Sequence, residues 1–107
     1  MAEKEHTERL KQGVSSWNSW RLENSDMVPD LSDTNLQGKD LREVNFRRAN
    51  LRGADLREAS LRWGYLSEAN LSTANLSWAD LRETSLERAN LRDAILQKAQ
   101  LVGANLS

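Results

Sequence analysis

Leucine recurs along most of this chain at a strict interval of five. The series Leu31, Leu36, Leu41, Phe46, Leu51, Leu56, Leu61, Leu66, Leu71, Leu76, Leu81, Leu86, Leu91, Leu96, Leu101 and Leu106 has 16 members, and 15 are leucine. Two residues before most of them stands a small residue, from Ala49, Ala54 and Ala59 through Gly64 to Ala99 and Ala104. One residue before is usually Asn, Asp or Ser, and the two residues after are mostly polar. A period of five suits neither regular element. On a helix, five steps of about 100° rotate the apolar stripe by about 140° per repeat. In a continuous strand an odd period sends alternate leucines to opposite faces. Each unit must therefore contain a break. Small, polar and leucine alternate in, out and in, as a three-residue extended piece does, and the next two residues turn a corner. Successive sides wind into a coil with leucine and the small residue inside.

Residues 1 to about 24 do not keep this period. Leu10, Val14 and Trp17 follow at i, i+4 and i+7, with Trp20 three further on, which predicts a helix with one apolar stripe. Glu3, Glu5 and Glu8 suit the positive end of its dipole. Gly13 and Ser15-Ser16 weaken it, so its stability should come from docking. Asn24-Ser25 and Pro29 mark its end. The chain thus divides into a helical cap and lead-in, residues 1–28, and a repeat, residues 29–107. Leu10, Val14, Trp17 and Trp20 are expected to cover the open apolar end of the coil. His6, the only histidine, is expected in solvent.

The units Ala54-Asp55-Leu56-Arg57-Glu58 and Ala74-Asn75-Leu76 resemble the Ala-Asp/Asn-Leu-x-x motif of the pentapeptide-repeat family. The resemblance runs from about Asp30 to Ser107. It implies an all-β repeat solenoid, a right-handed quadrilateral β-helix of about four coils with 20 residues in each. Leu-Lys-Gln-Gly-Val and Trp-Asn-x-Trp-Arg in the cap resemble leaders found ahead of bacterial pentapeptide arrays. Pro29, Thr34, Lys39 and Val44 occupy the small-residue position in the first coil. Lys39 is too long for a narrow interior, so that coil should distort or the ammonium should reach its open end. Phe46 would fill a wider cross-section there.

Under a 20-residue coil, residues 20 apart stack into ladders. Asp30, Asn50, Asn70 and Asn90 form one, suited to hydrogen bonding along turns. Arg48, Glu68 and Arg88 form another, with alternating charge. Arg42, Arg62 and Arg82 form a third, and these should repel one another unless Glu43 and Glu83 beside them neutralise the stack. Trp63 stands at the adjoining corner, Trp78 at the other corner one coil on, and Tyr65 just past Trp63. Exposed Trp with Arg is the composition of interface hot spots, so Arg42, Arg62, Arg82, Trp63, Trp78 and Tyr65 are the candidate partner-binding residues. The belt Arg42, Arg47, Arg52, Arg57 and Arg62 circles the rod instead of lining one face.

Composition removes most other functions. Lys and Arg total 15 and Asp and Glu 16, a formal charge of -1, which argues against a nucleic-acid partner. Without cysteine and with one histidine there is no basis for a disulfide, a thiolate site or a multi-histidine metal site. No catalytic constellation, cofactor motif or phosphate loop is present, so no enzyme and no cofactor are expected. Neither a secretory-signal core nor an apolar run of about 18 residues occurs, so a cytoplasmic bacterial protein with no membrane partner is expected.

The repeat continues to Ser107, which would leave Leu101, Val102 and Leu106 at an uncovered end. End-to-end pairing through the C-terminal coil, a truncated array and a frayed but tolerated end are all open, with pairing preferred by analogy to family members. The favoured function is a rigid rod that binds a partner protein of unknown identity through its Arg/Trp side. The alternatives are a DNA-mimicking topoisomerase inhibitor, as some family members are, or an orphan array without independent role. The first is disfavoured by the 10 acidic and 11 basic residues from Leu31 onward. Thr34, Thr73 and Thr84 form no regular ladder of the kind an ice-binding face needs.

Overall fold

The structure is a computed structural model and describes residues 2–107. Helix α1 spans Lys4–Lys11 and helix α2 spans Val14–Glu23. The cap is therefore two helices where one was expected. The chain breaks at Gln12-Gly13, where Gly13 takes φ 107°, a conformation that favours glycine.

From Asp30 on, every five-residue unit contributes one bridging residue in place of a long strand. Asp30 pairs in parallel with Asn50, Asn50 with Asn70, and Asn70 with Asn90. Three more ladders start at Asn35, Asp40 and Asn45 and advance by the same step. One circuit thus passes four sides and places residue i beneath residue i+20. Hydrogen bonds between circuits come from the amides of the leucine, the polar residue before it and the corner residue two after it. The Leu51 amide donates to Asn70 O at 2.8 Å, and the Asn50 amide to Pro29 O at 2.8 Å.

Each corner is a β-turn closed by a bond from the small residue back to the leucine carbonyl, such as Ala59 to Leu56 O at 3.1 Å. The second residue after each leucine has positive φ, from 56° at Glu83 to 76° at Gly103. This is the type II pattern, in which the third turn residue is normally glycine. Here only Gly38, Gly53 and Gly103 supply one; elsewhere Glu, Arg, Trp, Thr, Lys and Asp take the strained conformation. Up to Arg88 the corner amide bonds to the next coil and supports this angle, as Glu58 N–H does to Ser77 O at 3.0 Å and Thr73 N–H to Arg92 O at 2.9 Å, while Asp93 and Lys98 keep the angle without such a bond. Thr73, β-branched at φ 59°, is the clearest case. Thr73→Gly should raise stability by about 0.5–1 kcal/mol, because left-handed strain of about 1–2 kcal/mol exceeds glycine's entropic penalty of about 0.5–1 kcal/mol. Urea unfolding measures the difference, and a loss of stability would show that the corners are not strained.

The interior is a column of leucine and alanine. Leu31 through Leu86 are buried at every fifth position, together with Ala49, Ala54, Ala59, Ala69, Ala74 and Ala79. Thr84 takes a small-residue position and stays buried by donating its hydroxyl to Leu61 O at 2.8 Å. From Ala89 to Ala104 the same positions are half-buried, and Leu106 is exposed, because no further coil of this chain lies over them.

The helices lie on the other end. Trp17 is fully buried, with its ring edge-on to Phe46 at 5.8 Å and its Nε1–H donating to Asn45 O at 2.8 Å. Leu10 and Trp20 are buried and Val14 is half-buried. Backbone groups of the first coil, which have no coil beneath them, find partners in the cap. Asn18 accepts from the Asn45 amide and donates to Glu43 O, and the Glu3 amide donates to Asp30 O. Arg21 donates to Asn45 O and Arg47 O at 2.9 and 2.7 Å.

His6 corrects the sequence expectation. It is buried against Trp20, and its Nδ1 accepts from the Asp30 amide at 2.9 Å. The coil's first amide needs an acceptor where no previous coil exists, and an imidazole that accepts there also packs on indole. Lys39 is exposed at the rim of a cavity of about 230 Å³ between cap and coil, lined also by Leu10, Val14, Leu36 and Leu41.

Candidate functional site

The side built on Asp40, Ser60 and Asp80 carries the arginine ladder. In an extended unit, the residue before leucine and the residue after it point outward together. Aspartate at the first position therefore meets arginine at the second. Asp40 Oδ1 accepts from the Arg42 amide at 3.3 Å and from Nε at 2.8 Å, while Oδ2 accepts from Nη2 at 2.7 Å. Asp80 binds Arg82 in the same way, at 3.1, 2.8 and 2.7 Å. The hydrogen bonds from the arginine side chain and then its amide hold the Asp40 carboxyl down to about 2. Asp80 is lowered first by the Arg82 side-chain bond, and Arg82 is raised in return. The repulsion expected among the three arginines is thus relieved by these aspartates more than by the corner glutamates. Glu43 makes no ion pair with the ladder among the described residues, and Glu83 reaches only Arg62, at 3.4 Å.

Arg62 differs from its neighbours because Ser60 stands where they have aspartate. Its guanidinium lies 4.4 Å from the centre of the Trp63 ring, and its buried Nε has no acceptor. Trp63, at φ 62° on the corner, is 43% exposed. Asp40, Arg42, Ser60, Arg62, Trp63, Asp80 and Arg82 line one groove of about 370 Å³. A second depression continues from Trp63 across Arg42 and Glu43 to Val14 on α2. The groove offers guanidinium donors beside a half-exposed indole.

The fold brings Arg42, Arg62, Arg82 and Trp63 together but does not bring Trp78 or Tyr65 into that groove. Trp78, 62% exposed, borders a separate hollow with Gln37, Arg57, Glu58, Asn75 and Ser77, and Lys98 lies 5.5 Å from its ring. Tyr65 is exposed under Arg47, 5.8 Å away. Leu101 is half-buried at the far end, and Val102 and Leu106 are exposed there. The charge ladder at Glu68 and Arg88 closes only to 3.8 Å.

Two features escaped the sequence. The Asp-Leu-Arg fork is written at 40–42, 55–57 and 80–82, and Asp55 and Arg57 make it as well. Its signal was the spacing of two within an extended unit. Arg21 is buried beneath the first coil, where burial first and then the charges of Arg48 and Arg47 lower its pKa. Nothing in the period of α2 distinguishes it from an exposed arginine. Among the described residues, no group of His, Asp and Glu is placed to hold a metal ion, and no helix is long and apolar enough to cross a membrane.

Comparison with known proteins agrees with the coil. No curated protein sequence matches. Among solved structures, a trypsin-treated variant of QnrB1, described as a plasmid-mediated fluoroquinolone resistance protein, superposes with a TM-score of 0.64 at 23% identity, over 73% of this chain and 38% of that one. That likeness is one of fold. Rfr23 from the cyanobacterium Cyanothece 51142 is 29% identical over 73% of this chain and 60% of its own, with a TM-score of 0.47. A pentapeptide repeat protein of the Arabidopsis thaliana thylakoid lumen is 32% identical over 73% and 61%, with a TM-score of 0.46. The chain thus spans less than two thirds of the length of each. The family pattern described as pentapeptide repeats matches 8 copies over residues 30–63 and 65–107, and with the leucine column, the corners and the 20-residue ladders it establishes that the chain belongs to the pentapeptide-repeat family.

Proposed function

We propose that the chain is a non-enzymatic interaction module of the bacterial cytosol. In this reading it is a right-handed quadrilateral β-helix of about four coils, capped by α1 and α2, that binds a partner protein through the Arg/Trp groove. The carrying observation is Arg62, stacked on half-exposed Trp63 between two self-paired Asp–Arg forks. Arginine and tryptophan dominate interface energetics where they can be desolvated together. The rod supports the reading because its polar groups radiate outward from a filled core, whereas catalysis needs groups that converge.

The test is a crosslinking pull-down with the intact chain beside a variant in which Arg62, Trp63 and Arg82 are alanine, with Trp78→Ala as a second bait. The three side chains point outward, so the triple variant should fold. It should lose captured partner by at least about thirty-fold, the equivalent of one hot spot of about 2 kcal/mol. Equal capture by both baits would refute the groove, and loss only with Trp78→Ala would move the site to the Trp78 hollow. Self-capture alone would favour pairing of two copies through Leu101, Val102 and Leu106.

Membership of the pentapeptide-repeat family leaves a second reading, interference with a topoisomerase by imitation of DNA. The balanced charge of the repeat gives little support for it. Clear inhibition of supercoiling by excess protein would establish it over the groove.

A further inference from the structure

Seven units of the coil place arginine directly after the leucine, or after Phe46 in its place, at Arg42, Arg47, Arg52, Arg57, Arg62, Arg82 and Arg92. In six of them the residue before the leucine is Asp or Asn, and its Oδ1 accepts from the arginine amide, at 3.0–3.3 Å. The aspartates go further and chelate Nε and Nη2 side-on. Ser60 alone does neither. Among the described residues, the Arg62 amide and Nε both lack an acceptor. The guanidinium has turned away, over Trp63 and toward Glu83 at 3.4 Å.

We propose that the Ser60–Arg62 rung is a seat for a carboxylate supplied by the partner protein, an Asp or Glu side chain that takes the place of the missing aspartate. This rests on the reading of the Arg/Trp groove as the partner-binding face. The incoming carboxylate accepts from the Arg62 amide, Nε–H and Nη2–H, as Asp40 and Asp80 do in the rungs on either side. Arg62 then leaves Trp63 and Glu83 for the position that Arg42 and Arg82 hold, and the exposed indole is free to pack against the partner. The bonds given up are a long contact from half-buried Arg62 to exposed Glu83 and the stack on Trp63, whereas the bond gained is a bidentate, charge-assisted fork.

Charge selects the occupant. Asp40, Arg42, Arg62, Asp80 and Arg82 sum to one positive charge, which Glu83 cancels through its contact with Arg62, and both neighbouring arginines are already satisfied. One monoanion takes Glu83's place at Arg62. A phosphoryl dianion fits the same fork, but it would bring a second negative charge beside Asp40 and Asp80. Glu83 is the built-in competitor.

Acetate serves as the probe, titrated into the full chain at fixed ionic strength and followed by nitrogen-15 NMR of the arginine Nε–H groups. The Arg62 Nε–H and amide signals should shift saturably, with a Kd in the millimolar range expected for one small anion, while Arg42 and Arg82 stay still. Tryptophan fluorescence should change in step as the cation leaves Trp63. Ser60→Asp, which installs the residue already present at 40 and 80, should reduce the Arg62 response at least tenfold. Glu83→Gln should tighten acetate severalfold. Shifts that grow linearly on all three arginines, an unchanged response in Ser60→Asp, or tighter binding of inorganic phosphate than of acetate would each overturn the seat. If acetate fails to saturate at Arg62 while captured partner is still lost from the triple-alanine variant, the seat falls and the groove stands.

Discussion

Replacing Trp17 by alanine is expected to cost about 3–5 kcal/mol of stability, the range for deleting a fully buried large aromatic. Trp17 has no exposed surface, lies 5.1 Å from Trp20 and meets Phe46 edge-on. The carbonyl that its indole N–H satisfies, Asn45 O, also accepts from Arg21 at 2.9 Å and would keep that partner. The cost should therefore come from the cavity more than from a lost hydrogen bond. Trp17→Phe separates the two, since it keeps most of the volume and loses the N–H, worth about 1 kcal/mol, with only a smaller cavity besides. Urea unfolding gives the energies. Hydrogen exchange supplies the location, with faster exchange expected in the first coil, where cap residues satisfy the backbone. If Trp17→Ala and Trp17→Phe cost the same, the packing account is wrong.

Leu66→Ala should cost about 2–5 kcal/mol, whereas Leu106→Ala should cost under about 1 kcal/mol. Both residues occupy the same place in the repeat, so local sequence does not separate them. Leu66 is fully buried with Phe46 stacked on one side and Leu86 on the other; Leu106 is 53% exposed with no coil beyond it. In a stacked repeat each unit is stabilised by its neighbours, and the centre is loaded from both sides. Equal effects of the two substitutions on the urea midpoint would contradict that gradient.

Much of the coil was legible because one requirement recurs with one period. Leucine and alanine had to face inward at fixed positions, and no regular helix or strand does that every five residues. The candidate face was legible in part. Register placed Arg42, Arg62 and Arg82 in one line, but the line did not say which arginines were already engaged. That depends on whether the residue two before is Asp, Asn or Ser and on where the side chains rest. Trp78 and Tyr65 were assigned to the same face by corner counting, and the structure places them over different neighbours. His6 was read as solvated because a lone histidine in a polar stretch carries no periodic signal; its partner, the Asp30 amide, lies 24 residues away.

The sequence by itself determined the repeat unit, its inward and outward positions and the segment that departs from it. These follow from burying apolar side chains at a constant interval, which is a local rule applied many times. Tertiary structure alone decided the break at Gly13, the burial of His6 and Arg21, and the left-handed corners at residues as unsuited as Thr73 and Trp63. Burying His6 and Arg21 and turning the corners at Thr73 and Trp63 cost free energy locally, and the partners that offset them lie in another coil or across the cap, so their physical reason exists only once the chain has closed on itself.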